Sequence, residues 1–123
     1  MKVTNTDKAP AAIGPYSQAV SAGGFLFTSG QIPLDPASGE VRGTDIASQA
    51  DQVIGNLGRL LEANGIGFDR VVKTTCFLAD MGDFAAFNKV YEKYFVSRPA
   101  RSCVAVKALP RNVLCEIEAV AEL

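Results

Sequence analysis

Arg101 opens a candidate strand directly behind Pro99-Ala100, and Glu116 and Glu118 stand two residues apart on another. A guanidinium presents a planar fork of N–H donors that can grip a carboxylate with two parallel bonds, so Arg101 suits an amino-acid-like anion. Side chains at i and i+2 of a strand share a face, about 7 Å apart. Two carboxylates that close raise the proton affinity of one of them and poise it as a base toward water. Each feature also has a plainer reading, because an Arg at a strand start or a Glu pair on a strand is commonly just solvated surface. Cys103 lies two residues from Arg101, whose charge could favour a thiolate. With no proton acceptor beside it, a small buried residue is the better reading for Cys103.

The chain excludes much of the usual catalytic repertoire. It has 123 residues, no histidine and no tryptophan. Ser-His-Asp and Cys-His catalysis and His-ligated zinc or iron are therefore unavailable within one chain. Twelve Lys and Arg against thirteen Asp and Glu leave a net charge of -1, which argues against binding nucleic acid by bulk charge. The three cysteines, Cys76, Cys103 and Cys115, are widely spaced and odd in number. That pattern favours neither a disulfide framework nor a cysteine metal site. Met1-Lys2-Val3-Thr4 and the residues after it are too polar for a signal peptide or a membrane anchor, so a cytoplasmic protein is expected. No repeat or linker divides the chain, and a single domain over residues 1–123 is expected.

The elements that must position Arg101 and Glu116 follow from hydrophobic period. Ser17–Ala22 and Phe25–Ser29 flank Gly23-Gly24, the signature of a two-residue β-hairpin turn. Ile46, Ala50, Val53, Ile54, Leu57, Leu60 and Leu61 form one helical stripe within Asp45–Asn64, capped by Thr44 or Asp45 and stopped at Gly65. Val71–Leu78 reads as a strand. Phe84, Phe87, Val90, Tyr91 and Tyr94 make the stripe of a second helix, capped by Asp83 and ended before Pro99. Arg101–Val106 and Val113–Glu122 complete a ββαβαββ order, an α+β fold with two helices on one face of a mixed sheet. In the last strand Val113, Cys115, Ile117, Ala119 and Ala121 belong to the core. Leu114, Glu116, Glu118, Val120 and Glu122 face the other way, and the expected neighbouring strand presents either Arg101, Cys103 and Ala105 or Ser102, Val104 and Val106. Two helices leave that second face uncovered, so burial against other subunits is expected.

Other segments offer binding groups rather than reactive ones. Gly14-Pro15-Tyr16-Ser17 forms a turn, and Thr28-Ser29-Gly30-Gln31 ends a strand. Tyr16 and Ser29 can donate hydrogen bonds, and Gly30 permits close backbone approach. No phosphate-binding loop occurs.

Taken together, Gly14-Pro15-Tyr16-Ser17-Gln18-Ala19, Ser29-Gly30-Gln31-Ile32, Val72-Lys73-Thr74-Thr75, Pro99-Ala100-Arg101-Ser102 and Glu116-Ile117-Glu118-Ala119 resemble the RidA (YjgF/YER057c/UK114) family, from about Asp7 to Ala121. The resemblance implies a chorismate-mutase-like fold assembled as a homotrimeric, barrel-like body with clefts between subunits. It implies 2-iminobutanoate/2-iminopropanoate deaminase activity, the hydrolysis of enamines and imines released by pyridoxal-phosphate dehydratases, with no metal or organic cofactor. By position, Arg101 would hold the substrate carboxylate and Glu116 the attacking water. Tyr16, Ser29, Gly30, Asn88 and the backbone around Cys103 would line the cleft. The wider family also includes translation-inhibiting endoribonucleases and chaperones, so RNA cleavage and non-enzymatic ligand binding in the same cleft stand as alternatives.

Overall fold

A computed structural model describes all of residues 1–123. Eight regular elements follow in order: β1 Lys2–Thr4, β2 Ala19–Ala22, β3 Phe25–Thr28, α1 Ile46–Glu62, β4 Val71–Leu78, α2 Phe84–Tyr94, β5 Ala100–Ala105 and β6 Cys115–Glu122. Short 3-10 turns stand before β4, α2 and β6. The strands make one sheet in the order β1-β2-β3-β6-β4-β5. Only β4 and β5 run parallel, joined by α2 as parallel neighbours require. The mixed sheet with two helices on one face is as expected, and β1 is an addition. Three residues, Lys2-Val3-Thr4, are too few to show a period, and β1 exists by pairing with β2.

One expectation of neighbourhood is corrected. β5 and β6 do not lie side by side; β4 stands between them and β5 is the sheet edge. The 3-10 turn at Pro110–Asn112 looks like a hairpin turn in sequence, but β6 inserts between β3 and β4.

Local chemistry explains the helices. Asp45 caps α1: its carboxylate accepts from the Ser48 amide at 2.8 Å, and the Asp45 amide donates back to the Ser48 hydroxyl. Gly65 takes the left-handed conformation that ends the helix (φ +74°). Asp83 precedes α2 without capping it. Asp80 instead accepts from the Gly82 amide at 2.7 Å and closes the turn that leads in. Ala50, Val53, Ile54, Leu57 and Leu61 of α1 are fully buried against Phe87 of α2 and against Cys76, Cys115, Ile117 and Ala121 of the sheet. Full burial of each large aliphatic side chain contributes roughly 1.5–3 kcal/mol. The two polar residues buried in α1 tie loops down: Asn56 donates to the carbonyls of Ile32 and Leu34, and Gln49 accepts from the Leu114 amide. These bonds hold the ends of the segments that carry Gly30 and Glu116.

Two glycines of α1 have opposite meanings. A Cβ on Gly58 would come within 3.0 Å of the Phe68 ring, itself packed on Tyr94 and Phe95. Gly55 is exposed and a Cβ there meets nothing. Gly55→Ala should therefore stabilise the fold by about 1 kcal/mol, the helix-propensity difference. Gly58→Ala should show no such gain in the same thermal unfolding measurement.

Candidate functional site

Glu116 sits on the sheet face away from the helices. Its neighbours Cys115 and Ile117 point into the core and are fully buried. On that open face Phe77 of β4 stands directly opposite Glu116, and Thr75 opposite Glu118. Burial pushes the Glu116 carboxyl above the usual carboxylate range, and the Glu118 charge adds to the rise. The proximity of the two carboxylates was readable in the sequence, but the larger cause is desolvation.

Gly30 follows β3 and passes so close to Glu116 that a Cβ would lie within 2.8 Å of its carboxyl carbon. With Ile13, Tyr16, Ser29, Ile32 and Pro110, these residues line a cavity of about 610 Å³. The Tyr16 hydroxyl accepts from the Ile13 amide at 3.4 Å and is half exposed. The Ser29 hydroxyl donates to the Ser17 carbonyl at 2.6 Å. Its one donor is thus committed to the backbone, and toward a ligand it offers an acceptor, which corrects the expectation that it donates.

Arg101 lies on the other face. Its guanidinium donates to Asn88 Oδ1 of α2 at 2.8 Å and stacks 4.7 Å from the Tyr91 ring centroid and 5.5 Å from that of Phe84. Three supports hold the fork in one place while leaving most of its N–H donors free. Tyr91 is held in turn by a 2.7 Å bond to Thr74 of β4. Burial pushes the Tyr91 hydroxyl above its ordinary range, so it stays neutral. Asn88, Tyr91 and Arg101 belong to a second cavity of about 510 Å³.

The expected site residues thus fall into two groups. Tyr16, Ser29, Gly30 and Glu116 share one cavity, Asn88 and Arg101 the other. In the sheet register Arg101 is level with Thr74, which is level with Ala119. Glu116 is therefore two strand spacings across and three residues along, more than about 10 Å away in the plane of the sheet and on its opposite face. Within one chain the two cannot act on one small molecule.

Cys103 lines neither cavity and stands opposite Cys76 on the helix side. Burial raises its thiol despite the lowering by Arg101, consistent with a packing role. Burial pushes Cys76 and Cys115 up to about 12. No three His, Cys, Asp or Glu side chains gather to hold a metal ion. No helix is long and apolar enough to cross a membrane.

A family profile described as "Endoribonuclease L-PSP" matches residues 6–123. The chain belongs to this family, the RidA/YjgF family. It is 51% identical over 121 residues to the mouse 2-iminobutanoate/2-iminopropanoate deaminase, spanning 98% of this chain and 90% of that protein. The crystal structure of the E. coli YjgF gene product matches it with a TM-score of 0.94 at 47% identity, over 99% of this chain and 98% of that one. E. coli TdcF with bound serine matches with a TM-score of 0.95 at 42% identity, over 100% of this chain and 99% of that one.

For this RidA-family chain, sequence reasoning missed Tyr91 and Phe84 as the shelf beneath Arg101. The signal was present as Phe84, Asn88 and Tyr91 at i, i+4 and i+7 of α2, one face of a helix. Reading it required knowing that β5 lies parallel beside β4, under α2.

The raised affinity of Glu116 for its proton has a stability consequence. The folded state holds that proton to higher pH than the unfolded chain, so the contribution is present at low pH. It is lost as pH rises from the ordinary value of 4.5 through the raised one. Glu116→Gln should therefore unfold at a higher temperature than the parent at neutral pH. The gap should narrow toward pH 4.5 in thermal melts recorded across the range.

Proposed function

We propose that the chain is a 2-iminobutanoate/2-iminopropanoate deaminase that works as a homotrimer, with Arg101 of one subunit and Glu116 of its neighbour facing one cleft. The observation that carries this reading is the pair of complementary half-sites on opposite faces of one sheet, a fixed guanidinium and a carboxylate of raised proton affinity. The open face also invites partners: Val3, Val20, Phe27 and Val120 stand in one row across it, with Phe25 exposed beside Phe27. A contiguous apolar row of this kind is costly to leave in water. The mouse relative's name supports the activity, and the serine held by TdcF supports an amino-acid-like ligand.

The chemistry asks little of the protein. Arg101 binds the substrate carboxylate through two charge-assisted bonds and fixes the imine carbon. Glu116, ionised, takes a proton from a water as its oxygen bonds to that carbon and the C=N π electrons move to nitrogen. Glu116 returns that proton to the nitrogen to give the carbinolamine; it then takes the hydroxyl proton and passes it to the nitrogen as the C=O bond forms and the C–N bond breaks, so that ammonia leaves and a 2-oxo acid remains. The imine is already electrophilic, so neither histidine nor metal is required for this sequence of steps.

The assay is a threonine dehydratase reaction in which decay of the released imine is followed with and without the protein. Accelerated decay over many equivalents per site is expected, whereas stoichiometric removal would favour a binding protein or chaperone. The family description favours RNA cleavage as a second reading. A homogeneous preparation is expected to leave RNA intact, and degradation abolished by Glu116→Gln would contradict the proposal.

A further inference from the structure

The cavity that holds Arg101 carries a second guanidinium. Arg98, three residues before Arg101, lines it together with Glu92 and Pro99. Its backbone is in the left-handed region, with φ at 55°. The turn is closed by the Arg98 amide, which donates to the Phe95 carbonyl at 3.1 Å. Glycine or asparagine is the ordinary residue where a helix exits through this conformation. Pro99 makes the position harder still, because a following proline disfavours helical backbone in the residue before it. An arginine standing where the backbone favours a smaller residue points to a use for its side chain. That side chain is exposed and takes part in none of the chain's three ion pairs, Glu92 included. Arg101, by contrast, is braced by Asn88, Tyr91 and Phe84.

We propose that Arg98 receives a second carboxylate of the substrate, so that the site favours imines derived from acidic amino acids over those with a small apolar side chain. The inference rests on the deaminase reading above and extends it to substrate class. Two residues three apart have Cα atoms at most about 10 Å apart. The free Arg98 side chain can therefore reach the far end of a short dicarboxylate whose near end is held by the fixed Arg101 fork. The cavity, at about 510 Å³, has room for the longer side chain. The planar fork of arginine suits a carboxylate, which it can hold through two parallel bonds.

The test compares kcat/KM for imines generated by amino-acid oxidases from aspartate or glutamate with that for the imine of 2-aminobutyrate. The ratio of diacid to monoacid should fall at least tenfold in Arg98→Gln and in Arg98→Gly, and Arg98→Lys should keep part of it. Arg98→Gly also relieves the left-handed backbone, so its melting temperature should not fall and unfolding cannot account for the change in ratio. Calorimetric binding of 2-oxoglutarate against 2-oxobutanoate should show the same Arg98-dependent preference. An unchanged ratio in both variants, with 2-aminobutyrate imine still hydrolysed, overturns the role of Arg98 and leaves the deaminase reading standing. Hydrolysis of neither imine, with 2-oxoglutarate binding still weakened tenfold by Arg98→Gln, overturns the deaminase reading and keeps the second carboxylate site.

Discussion

Arg101→Lys keeps the positive charge and should still lower kcat/KM for imine hydrolysis by at least about a hundredfold. Bonds to a charged partner contribute roughly 1.5–3 kcal/mol each, and a lysine cannot supply two from a fixed fork. Nor would an ammonium reproduce the flat stacking on Tyr91 and Phe84 or the bond to Asn88 that aim the group. Arg101→Ala should fall further, by about a thousandfold on the same arithmetic. Both variants should melt near the parent temperature, because Arg101 is only half-buried on an edge strand. Steady-state kinetics on 2-iminobutanoate, with circular dichroism as the control for folding, checks both halves of the expectation. A lysine variant of near-parental efficiency would show that charge alone suffices and that the shelf of α2 is incidental.

Gly30→Ala should damage activity almost as much as changing Glu116 itself. The new methyl group would sit within 2.8 Å of the Glu116 carboxyl carbon, and closer still to its oxygen, so the carboxylate must swing aside. A general base displaced by about 1 Å forfeits on the order of a hundredfold in rate. The backbone of Gly30 is not in the left-handed region, so no conformational strain accompanies the change. Glu116→Gln removes the base without moving it, and the two variants should lose activity together while differing in pH profile. Residual activity in Gly30→Ala should still rise through the titration of its carboxyl, whereas Glu116→Gln should lack that limb. Full activity in Gly30→Ala would mean that the position of the Glu116 carboxylate does not matter.

Local signals carried much of the fold. Gly23 and Gly24 both take positive φ (61° and 84°), as a two-residue hairpin between β2 and β3 demands. The stripe from Ile46 to Leu61 is buried as its spacing requires, and so is the alternation from Cys115 to Ala121. The failures were of pairing. Nothing in Leu109-Pro110-Arg111-Asn112 distinguishes a hairpin turn from a connection to a distant slot, because strand order is set by which apolar faces fit together. That one misplacement allowed Arg101 to share a face with Glu116, with Ser102 as the alternative. In the structure the intervening β4, through Thr74 and Phe77, separates them and turns them to opposite faces. The candidate site was thus legible as residue types, and illegible as geometry. The shelf of Phe84, Asn88 and Tyr91 follows from the same strand order.

On the proposed reading, the opposite faces within one chain mean that a complete cleft takes Arg101 from one subunit and Glu116 from another. Mixing Arg101→Ala with Glu116→Gln tests it most directly. Each variant alone should be inactive. Co-expressed or refolded together in equal amounts, they should recover about one quarter of the parent activity, since random assembly gives each cleft even odds of an intact Arg101 and of an intact Glu116. Mixed assemblies isolated with two affinity tags should show the recovered rate. If such mixed assemblies form and remain inactive, Arg101 and Glu116 do not serve one cleft from different subunits, and the proposed site is wrong.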